Sequence, residues 1–122
     1  WMLSYAILAP HSHNLQSWVV DLRSPGEIVL YCDLKRLLPQ TDPYARQIMM
    51  SHGTFLELLH MAACECGLRA EVVLFPDGAF GATELDGRPV ARIRCMWGWW
   101  GRRIPARWPH TARLPWRPGV SS

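Results

Sequence analysis

Two short apolar runs near the start of the chain predict a β-hairpin. Trp18 to Leu22 and Glu27 to Cys32 are rich in β-branched and apolar residues, as strands usually are. The segment Arg23-Ser-Pro-Gly26 lies between them and is a turn signal. A short apolar segment, Met2 to Leu8, precedes this hairpin, and we expect it to be helical.

A long stretch in the middle of the chain has the apolar spacing of a helix, from Pro43 to about Cys66. Asp42 suits the N-cap, Pro43 the first helical position and Gly67 the position after the helix. The apolar stripe consists of Ile48, Phe55, Leu58, Leu59, Ala62 and Ala63. Four further apolar residues widen it and predict a helix that is buried on most sides: Met49, Met50, Leu56 and Met61.

Gly53 is unusual because it falls inside this predicted helix. A glycine there costs about 1 kcal/mol relative to alanine. We therefore expect another backbone to pack closely against it.

Two more strands are predicted after the long helix, at Arg69 to Phe75 and at Val90 to Arg94. A turn at Pro76-Asp-Gly78 and a glycine-containing loop up to Pro89 separate them. The order is helix, two strands, long helix, two strands. This order predicts an α+β fold in which a mainly antiparallel sheet packs on a long central helix.

The segment from Ala9 to Trp18 is unusually polar for a link between a helix and a strand. It carries a proline, two serines, two histidines, an asparagine and a glutamine. One interpretation is a helix cap followed by a turn, since Ser12 and Asn14 are good N-cap residues; composition alone favours it. The other is a binding loop whose donors and acceptors hold the edge of a flat heteroaromatic ring.

Several motifs occur in an order that resembles one family. The first is Ala-Pro-x-Ser-x-Asn-x-Gln-x-Trp at residues 9–18. The others are Asp42-Pro-x-x-Arg46, then Ser51-His52-Gly53, then Gly67-Leu-x-Ala-Glu. Together they resemble the nitroreductase superfamily of FMN enzymes, most closely its Acg-like FMN-binding oxidoreductases. The resemblance runs from about residue 3 to residue 94 and implies an incomplete nitroreductase-like domain.

The resemblance implies that the polar segment lies along the isoalloxazine ring of FMN. The residues that would bind the cofactor are Pro10, His11, Ser12, Asn14 and Gln16, and Trp18 also matches the motif. Many family members have serine where His11 stands and proline where Ser17 stands. His11, His13 and His52 are possible donors to the ring oxygens, although a surface or capping role is favoured for each one alone.

The resemblance also implies partners and a phosphate anchor. NAD(P)H would supply the reducing equivalents, and a second nitroreductase-like half or a homodimer partner would complete the site. The segment His110-Thr-Ala-Arg113 faintly resembles the arginine-containing segment that grips the flavin phosphate, so Arg113 is the candidate anchor. A solvated arginine in a proline-rich tail is the favoured alternative.

The composition changes sharply at Cys95, so we divide the chain into a partial nitroreductase-like domain, residues 1–94, and a tail, residues 95–122. The tail carries five of the seven tryptophans and four of the ten prolines. It predicts an irregular segment or frame-shifted coding sequence; the alternative is a Trp/Arg segment that binds a membrane surface or nucleic acid.

Charge supports this division of the chain. Residues 1–94 carry a net charge of −2 and residues 95–122 a net charge of +5. We expect no nucleic-acid partner for the folded part, because the basic character belongs to the tail.

Length and start also bound the interpretation. The chain has 122 residues and begins with Trp1, which predicts a fragment or a processed product. No apolar run is long enough to span a bilayer and no signal peptide is visible. A cytoplasmic location is the default expectation, although a fragment could lack an export signal.

The cysteines indicate neither a zinc finger nor a CxxC redox pair. Cys32, Cys64, Cys66 and Cys95 have the wrong spacing for both. His60 and Cys64 would share a helix face, but two ligands do not close a zinc site, which takes four. We expect inert, buried thiols and no metal centre.

Two functions follow. The first is a fragment of an FMN-dependent oxidoreductase that transfers reducing equivalents from NAD(P)H to an acceptor. The alternative is a flavin-free truncated remnant or interaction module without catalytic activity.

Overall fold

A four-stranded antiparallel sheet and one long helix form the two layers of the fold. A computed structural model describes residues 1–97 of the chain. The helices are α1, Met2–Ala6, and α2, Arg46–Glu65, with short 3-10 turns at Ser12–Asn14 and Leu34–Arg36. The strands are β1, Trp18–Asp21; β2, Glu27–Cys32; β3, Leu68–Leu74; and β4, Ala91–Trp97. The predicted α+β class and the antiparallel sheet are confirmed.

The sheet has the strand order β1-β2-β4-β3, so the predicted hairpin lies at one edge. Every neighbouring pair is antiparallel, with Leu30 opposite Val20 in β1 and opposite Ala91 in β4. The inner face of β2 is buried and its outer face is half-buried, as expected for a strand covered on one side. On the outer face, Glu27 forms ion pairs with Arg92 and Arg94 of β4.

The core lies between α2 and the inner face of the sheet. The largest fully buried side chains include Phe55, Ile48 and Leu59 from the helix and Leu30 and Ile93 from the sheet. Burial of such side chains stabilises a fold by roughly 1.5–3 kcal/mol each. The predicted central helix is thus the element on which the sheet packs.

The start of α2 differs from the predicted one. The helix begins at Arg46 rather than Pro43, because the chain first turns at Ala45, whose φ is +51°. Asp42 still caps the helix: its buried carboxylate accepts a hydrogen bond of 3.0 Å from the backbone N–H of Ile48. At the other end Gly67 has φ +71°, the left-handed conformation predicted for the residue after a helix.

The expectation that α2 is buried on most sides was wrong. Met50 is 73% exposed and Met61 is 54% exposed, so the helix buries one face and leaves the opposite one open. Gly53 lies on the open face, and a Cβ built there would meet no atom within 4 Å. Close packing of a backbone within residues 1–97 therefore does not explain this glycine.

Strand β4 extends beyond the predicted end at Arg94. Cys95, Met96 and Trp97 continue the ladder and pair with residues at the start of β3. The boundary drawn between residues 94 and 95 therefore falls inside a strand, because pairing with β3 continues across the change in composition. The rest of the predicted tail, residues 98–122, lies outside the described residues.

The four cysteines are free thiols, and their burial differs from the expected pattern. Cys32 is buried, and burial raises the pKa of its thiol. Cys64 is exposed and contacts the imidazole of His60 at 3.7 Å, so it is not the buried thiol that was predicted. Residues 1–97 contain no cluster of three or more potential metal ligands. No helix in that range has the length and apolar character needed to cross a membrane.

Candidate functional site

The polar loop from Ala9 to Trp18 connects α1 to β1 and lies against the N-terminal half of α2. Its centre is the 3-10 turn Ser12–Asn14. The backbone N–H of Asn14 donates to the carbonyl of His11, and that of Leu15 donates to the carbonyl of Ser12. The loop is a compact turn whose ends are fixed by a helix and a strand.

A polar stripe of α2 holds the first half of this loop. Gln47, Ser51 and Thr54 are spaced by four and three residues, which places them on one side of the helix. Ser51 Oγ accepts a hydrogen bond of 2.9 Å from the backbone N–H of Ser12. Ser12 Oγ donates to Gln47 Oε1 at 3.1 Å.

The same stripe reaches the residue before the turn. Thr54 Oγ1 lies 2.9 Å from the carbonyl oxygen of Pro10 and 2.8 Å from that of Ser51, so its one hydrogen is shared between two acceptors. Three side chains of α2 thus hold the loop at Pro10 and Ser12.

His11 is used inside the loop. Its Nδ1 lies 2.8 Å from the carbonyl oxygen of Ser12, which can only accept, so Nδ1 carries the hydrogen. Its Nε2 then accepts from the Ser17 hydroxyl at 2.8 Å and from the Ser17 backbone N–H at 3.2 Å. The ring has no donor left for a ligand in this conformation, so His11 shapes the loop.

Three residues of the loop have backbone angles that side chains other than glycine rarely adopt. His13, Asn14 and Gln16 have φ values of 52°, 51° and 49°. Such conformations cost of order 1–3 kcal/mol each and are concentrated at functional sites. Asparagine tolerates this region better than most residues, which suits Asn14 to its position.

Asn14 and Gln16 carry the two side-chain amides of the loop. Both residues are exposed, and within residues 1–97 neither amide makes a hydrogen bond to another group. Each amide offers two N–H donors and one carbonyl acceptor. The loop therefore presents two free amides from a backbone that is held in place by its neighbours.

The carbonyl groups at the end of the loop are held by residues 33–36. Arg36 Nη1 donates to the carbonyl of Leu15 at 2.7 Å and lies 3.5 Å from that of Gln16. The backbone N–H of Asp33 donates to the carbonyl of Ser17 at 2.7 Å. One neighbouring turn therefore fixes the carbonyl groups of Leu15 and Ser17, and the carbonyl of Gln16 lies near the same guanidinium.

An aromatic cluster lies between the loop and the core. The ring of Trp18 lies 4.7 Å from that of His11 and 5.2 Å from that of Phe55, between centroids. His52 is fully buried beside them; its Nδ1 donates to the Ile48 carbonyl at 2.9 Å. Burial lowers the pKa of His52, an effect partly offset by its contacts with backbone carbonyls. His52 is thus a core residue with no exposed nitrogen.

The structure brings five of the six predicted cofactor-binding residues into one loop: Pro10, His11, Ser12, Asn14 and Gln16. Only Asn14 and Gln16 present free polar groups, while the other three are bonded within the protein. Arg113 lies outside the described residues. Sequence reasoning missed Arg36, and it missed the stripe of α2, although polar residues beside an apolar stripe were a signal for it.

Comparison with curated proteins finds two relatives in Mycobacterium tuberculosis. They are named "Putative NAD(P)H nitroreductase MT3217", from strain CDC 1551, and "Putative NAD(P)H nitroreductase Rv3131", from strain H37Rv. Each is 33% identical to the chain over 76 residues, which is 62% of this chain. The match spans 22% of the relatives' own length. No protein-family model matches the chain.

Solved structures with the same fold are also found. A protein titled "Putative NADH Oxidase" from Clostridium acetobutylicum matches with a TM-score of 0.59 and 15% identity, over 80% of this chain and 73% of that one. A "putative NAD(P)H:FMN oxidoreductase" from Staphylococcus epidermidis matches with a TM-score of 0.57 and 13% identity, over 88% of this chain and 79% of that one.

A third structure, a nitroreductase family protein from Streptococcus pneumoniae, has a TM-score of 0.55 and 15% identity, over 93% of this chain and 82% of that one. At these identities the solved structures show only a shared fold, whereas the curated relatives show similarity in sequence. Together they confirm the resemblance to the nitroreductase superfamily.

Proposed function

We propose that this chain, which is similar to the nitroreductase superfamily in sequence and shares its fold, forms the ring-binding part of an FMN-dependent oxidoreductase. The curated relatives are named as NAD(P)H nitroreductases, and one solved structure is named as an NAD(P)H:FMN oxidoreductase. These names support oxidoreductase chemistry with NAD(P)H as the donor. The dependence on FMN and the role of each residue are our proposal.

One observation carries the proposal: two free side-chain amides stand on a preformed, strained loop. The edge of an isoalloxazine ring offers both acceptors and a donor, and an amide can bond to either kind of group. Asn14 and Gln16 are therefore the side chains that would contact the ring edge. Pro10, His11 and Ser12 would contribute the shape of the loop and its backbone groups.

The chain's own residues bind and orient in this proposal. When bound, a flavin carries the hydride and electron transfer itself, and the protein supplies the position and surroundings of the ring. No side chain of the loop needs to act as an acid or a base. The loop instead holds the backbone of the two amide-bearing residues in place before any ligand arrives, which lowers the entropy cost of binding.

The loop between α1 and β1 would supply only the ring-edge contacts of the proposed site. The candidate anchor for the flavin phosphate, Arg113, lies outside the described residues. We propose that a second nitroreductase-like half or a homodimer partner completes the site. The open face of α2, with Met50, Gly53 and Met61, supports this, because exposed apolar side chains beside a glycine allow another backbone to approach closely.

Titration of FMN, followed by the quenching of its fluorescence, tests the proposal. The chain alone should bind FMN weakly or not at all, because the loop supplies no secure anchor for the phosphate. Charged phosphate contacts are among the strongest in a flavin site, so their loss weakens binding greatly. A chimera in which this chain replaces the matching segment of a mycobacterial relative should bind FMN and be yellow. Failure of this chimera to bind FMN, when it is folded, would favour the flavin-free remnant or interaction module.

Substitution of Asn14 tests the loop directly. Asn14→Gly removes the amide and keeps a residue that tolerates positive φ, so it isolates the side chain better than Asn14→Ala. In the chimera it should weaken FMN binding by about 1–3 kcal/mol, the cost of an unpaired polar group on the ring. Gln40→Ala, which removes an exposed amide outside the loop, is the matched control and should have no effect. Equal affinities for all three proteins would remove Asn14 from the site.

A further inference from the structure

Arg36 is partly exposed, yet its side chain is hydrogen-bonded to the backbone of the loop. Its side chain is 53% exposed, yet the guanidinium lies 2.7 Å from the carbonyl oxygen of Leu15 and 3.5 Å from that of Gln16. A second bond holds the guanidinium itself, because Arg36 Nε lies 3.2 Å from a carboxylate oxygen of Asp33. Arg36 therefore bridges the Asp33 carboxylate and the loop.

The two carbonyl groups that Arg36 reaches lie on either side of Gln16. The Leu15 carbonyl belongs to the peptide plane before the Gln16 Cα, and the Gln16 carbonyl belongs to the plane after it. The orientations of these two planes define φ and ψ of Gln16 and therefore the direction in which its side chain leaves the backbone. Gln16 has a φ of 49°, a conformation that costs free energy and needs external support.

We infer that Arg36 is a positioning residue, which acts through the backbone to set the direction in which the side chain of Gln16 leaves the loop. This inference rests on the proposed function, since it assigns the amide of Gln16 to the flavin ring. Asp33 supports this arrangement through two contacts. Its carboxylate orients Arg36, and its backbone N–H donates to the Ser17 carbonyl. The turn at residues 33–36 thus sets the geometry of residues 15–17 without touching the ligand.

The matched pair of variants is Arg36→Met and Lys35→Met. Both remove one positive charge from the same short turn and leave an unbranched apolar side chain. Only Arg36 contacts the loop carbonyls, whereas Lys35 is exposed and bonds to Asp33 through its backbone N–H. A general effect of charge would appear in both variants, and an effect of the bridge only in the first.

Hydrogen exchange of the full 122-residue chain measures the bridge without any ligand. The Ser17 amide, which donates to His11 Nε2, reports opening of the loop. Arg36→Met should accelerate its exchange by about tenfold, as expected for losing a hydrogen bond from a charged donor. Lys35→Met should leave the rate within about twofold. Equal exchange rates in Arg36→Met and the parent chain would contradict the claim that Arg36 stabilises the loop.

The positioning role needs a second readout, the FMN affinity of the chimera described above. Arg36→Met should raise the FMN dissociation constant about tenfold, and Lys35→Met should leave it unchanged, both measured at a temperature at which the chimeras are fully folded. Arg36→Lys, which can still donate to the Leu15 carbonyl, should recover part of the affinity. Faster exchange with unchanged FMN affinity would reduce Arg36 to a structural residue. A parent chimera that binds no FMN would overturn the proposed function and the positioning role together, while the exchange rates would still report on the bridge.

Discussion

The hydroxyl of Ser51 accepts a hydrogen bond from the backbone N–H of Ser12 at 2.9 Å, across 39 residues of sequence. Ser51 is buried, and its own hydrogen is donated to the carbonyl of Gln47. One turn further along α2, Phe55 lies in the core and contacts the ring of Trp18. The helix that carries the core therefore also positions the loop, so loss of helix packing should loosen the candidate site.

Leu59 is the residue at which this dependence can be tested. It is fully buried on α2, so Leu59→Asp places an unpaired charge in the core and should destabilise the chain by several kcal/mol, about 3–5. Met61→Asp is the matched control, because Met61 is 54% exposed on the same helix. Thermal melts followed by circular dichroism measure both variants. If Leu59→Asp and Met61→Asp unfolded at the same temperature, the assignment of α2 as the core helix would be contradicted.

Gly53 offers a test with the opposite sign. A Cβ at this position meets nothing within 4 Å, so Gly53→Ala should stabilise the isolated chain by about 0.5–1 kcal/mol through helix propensity. Gly67→Ala should destabilise it, because Gly67 has a φ of +71°. Denaturant titration of the two variants gives the comparison. Destabilisation by Gly53→Ala would mean that another surface already packs on this face of α2 in solution.

Periodicity was sufficient to predict the buried face of α2. Ile48, Phe55 and Leu59 recur at helical spacing, and all three lie in the core. Periodicity could not predict the exposure of Met50 and Met61. The sequence shows that a residue is apolar, but it does not show whether another element covers that face of the helix. The extension of β4 through Trp97 was missed for a similar reason, because the pairing depends on a distant strand.

The sequence indicated which loop matters, but it could not show which of its side chains are free. The motif selects five residues between Pro10 and Gln16, and the side chains of His11 and Ser12 are hydrogen-bonded to other groups of the protein. The groups that hold the loop come from positions between 16 residues (Asp33 to Ser17) and 44 residues (Thr54 to Pro10) away in the chain. Such long-range contacts leave no local pattern, and this is why Arg36 and the stripe of α2 were missed.

His52 makes the stability of the chain depend on pH. Its ring is fully buried, with Nδ1 2.9 Å from the Ile48 carbonyl and Nε2 3.4 Å from the Tyr31 carbonyl. Burial lowers the pKa of His52 from its ordinary value of 6.5, and the neighbouring ring of His11 lowers it further. The folded chain therefore binds this proton less readily than the unfolded chain does. The contribution of His52 to stability is present above pH 6.5 and decreases as the pH falls from that value through the folded pKa.

Substitution of His52 should remove this part of the pH dependence. The free energy of unfolding of the parent chain should fall between pH 7.5 and pH 5.5, and that of His52→Gln should fall less, whatever its absolute stability. His60→Gln is the control, because His60 is exposed and should retain the slope of the parent. Urea titrations at the two pH values provide the slopes. If His52→Gln and the parent chain lost the same free energy over this range, the buried imidazole would not be the group that senses pH.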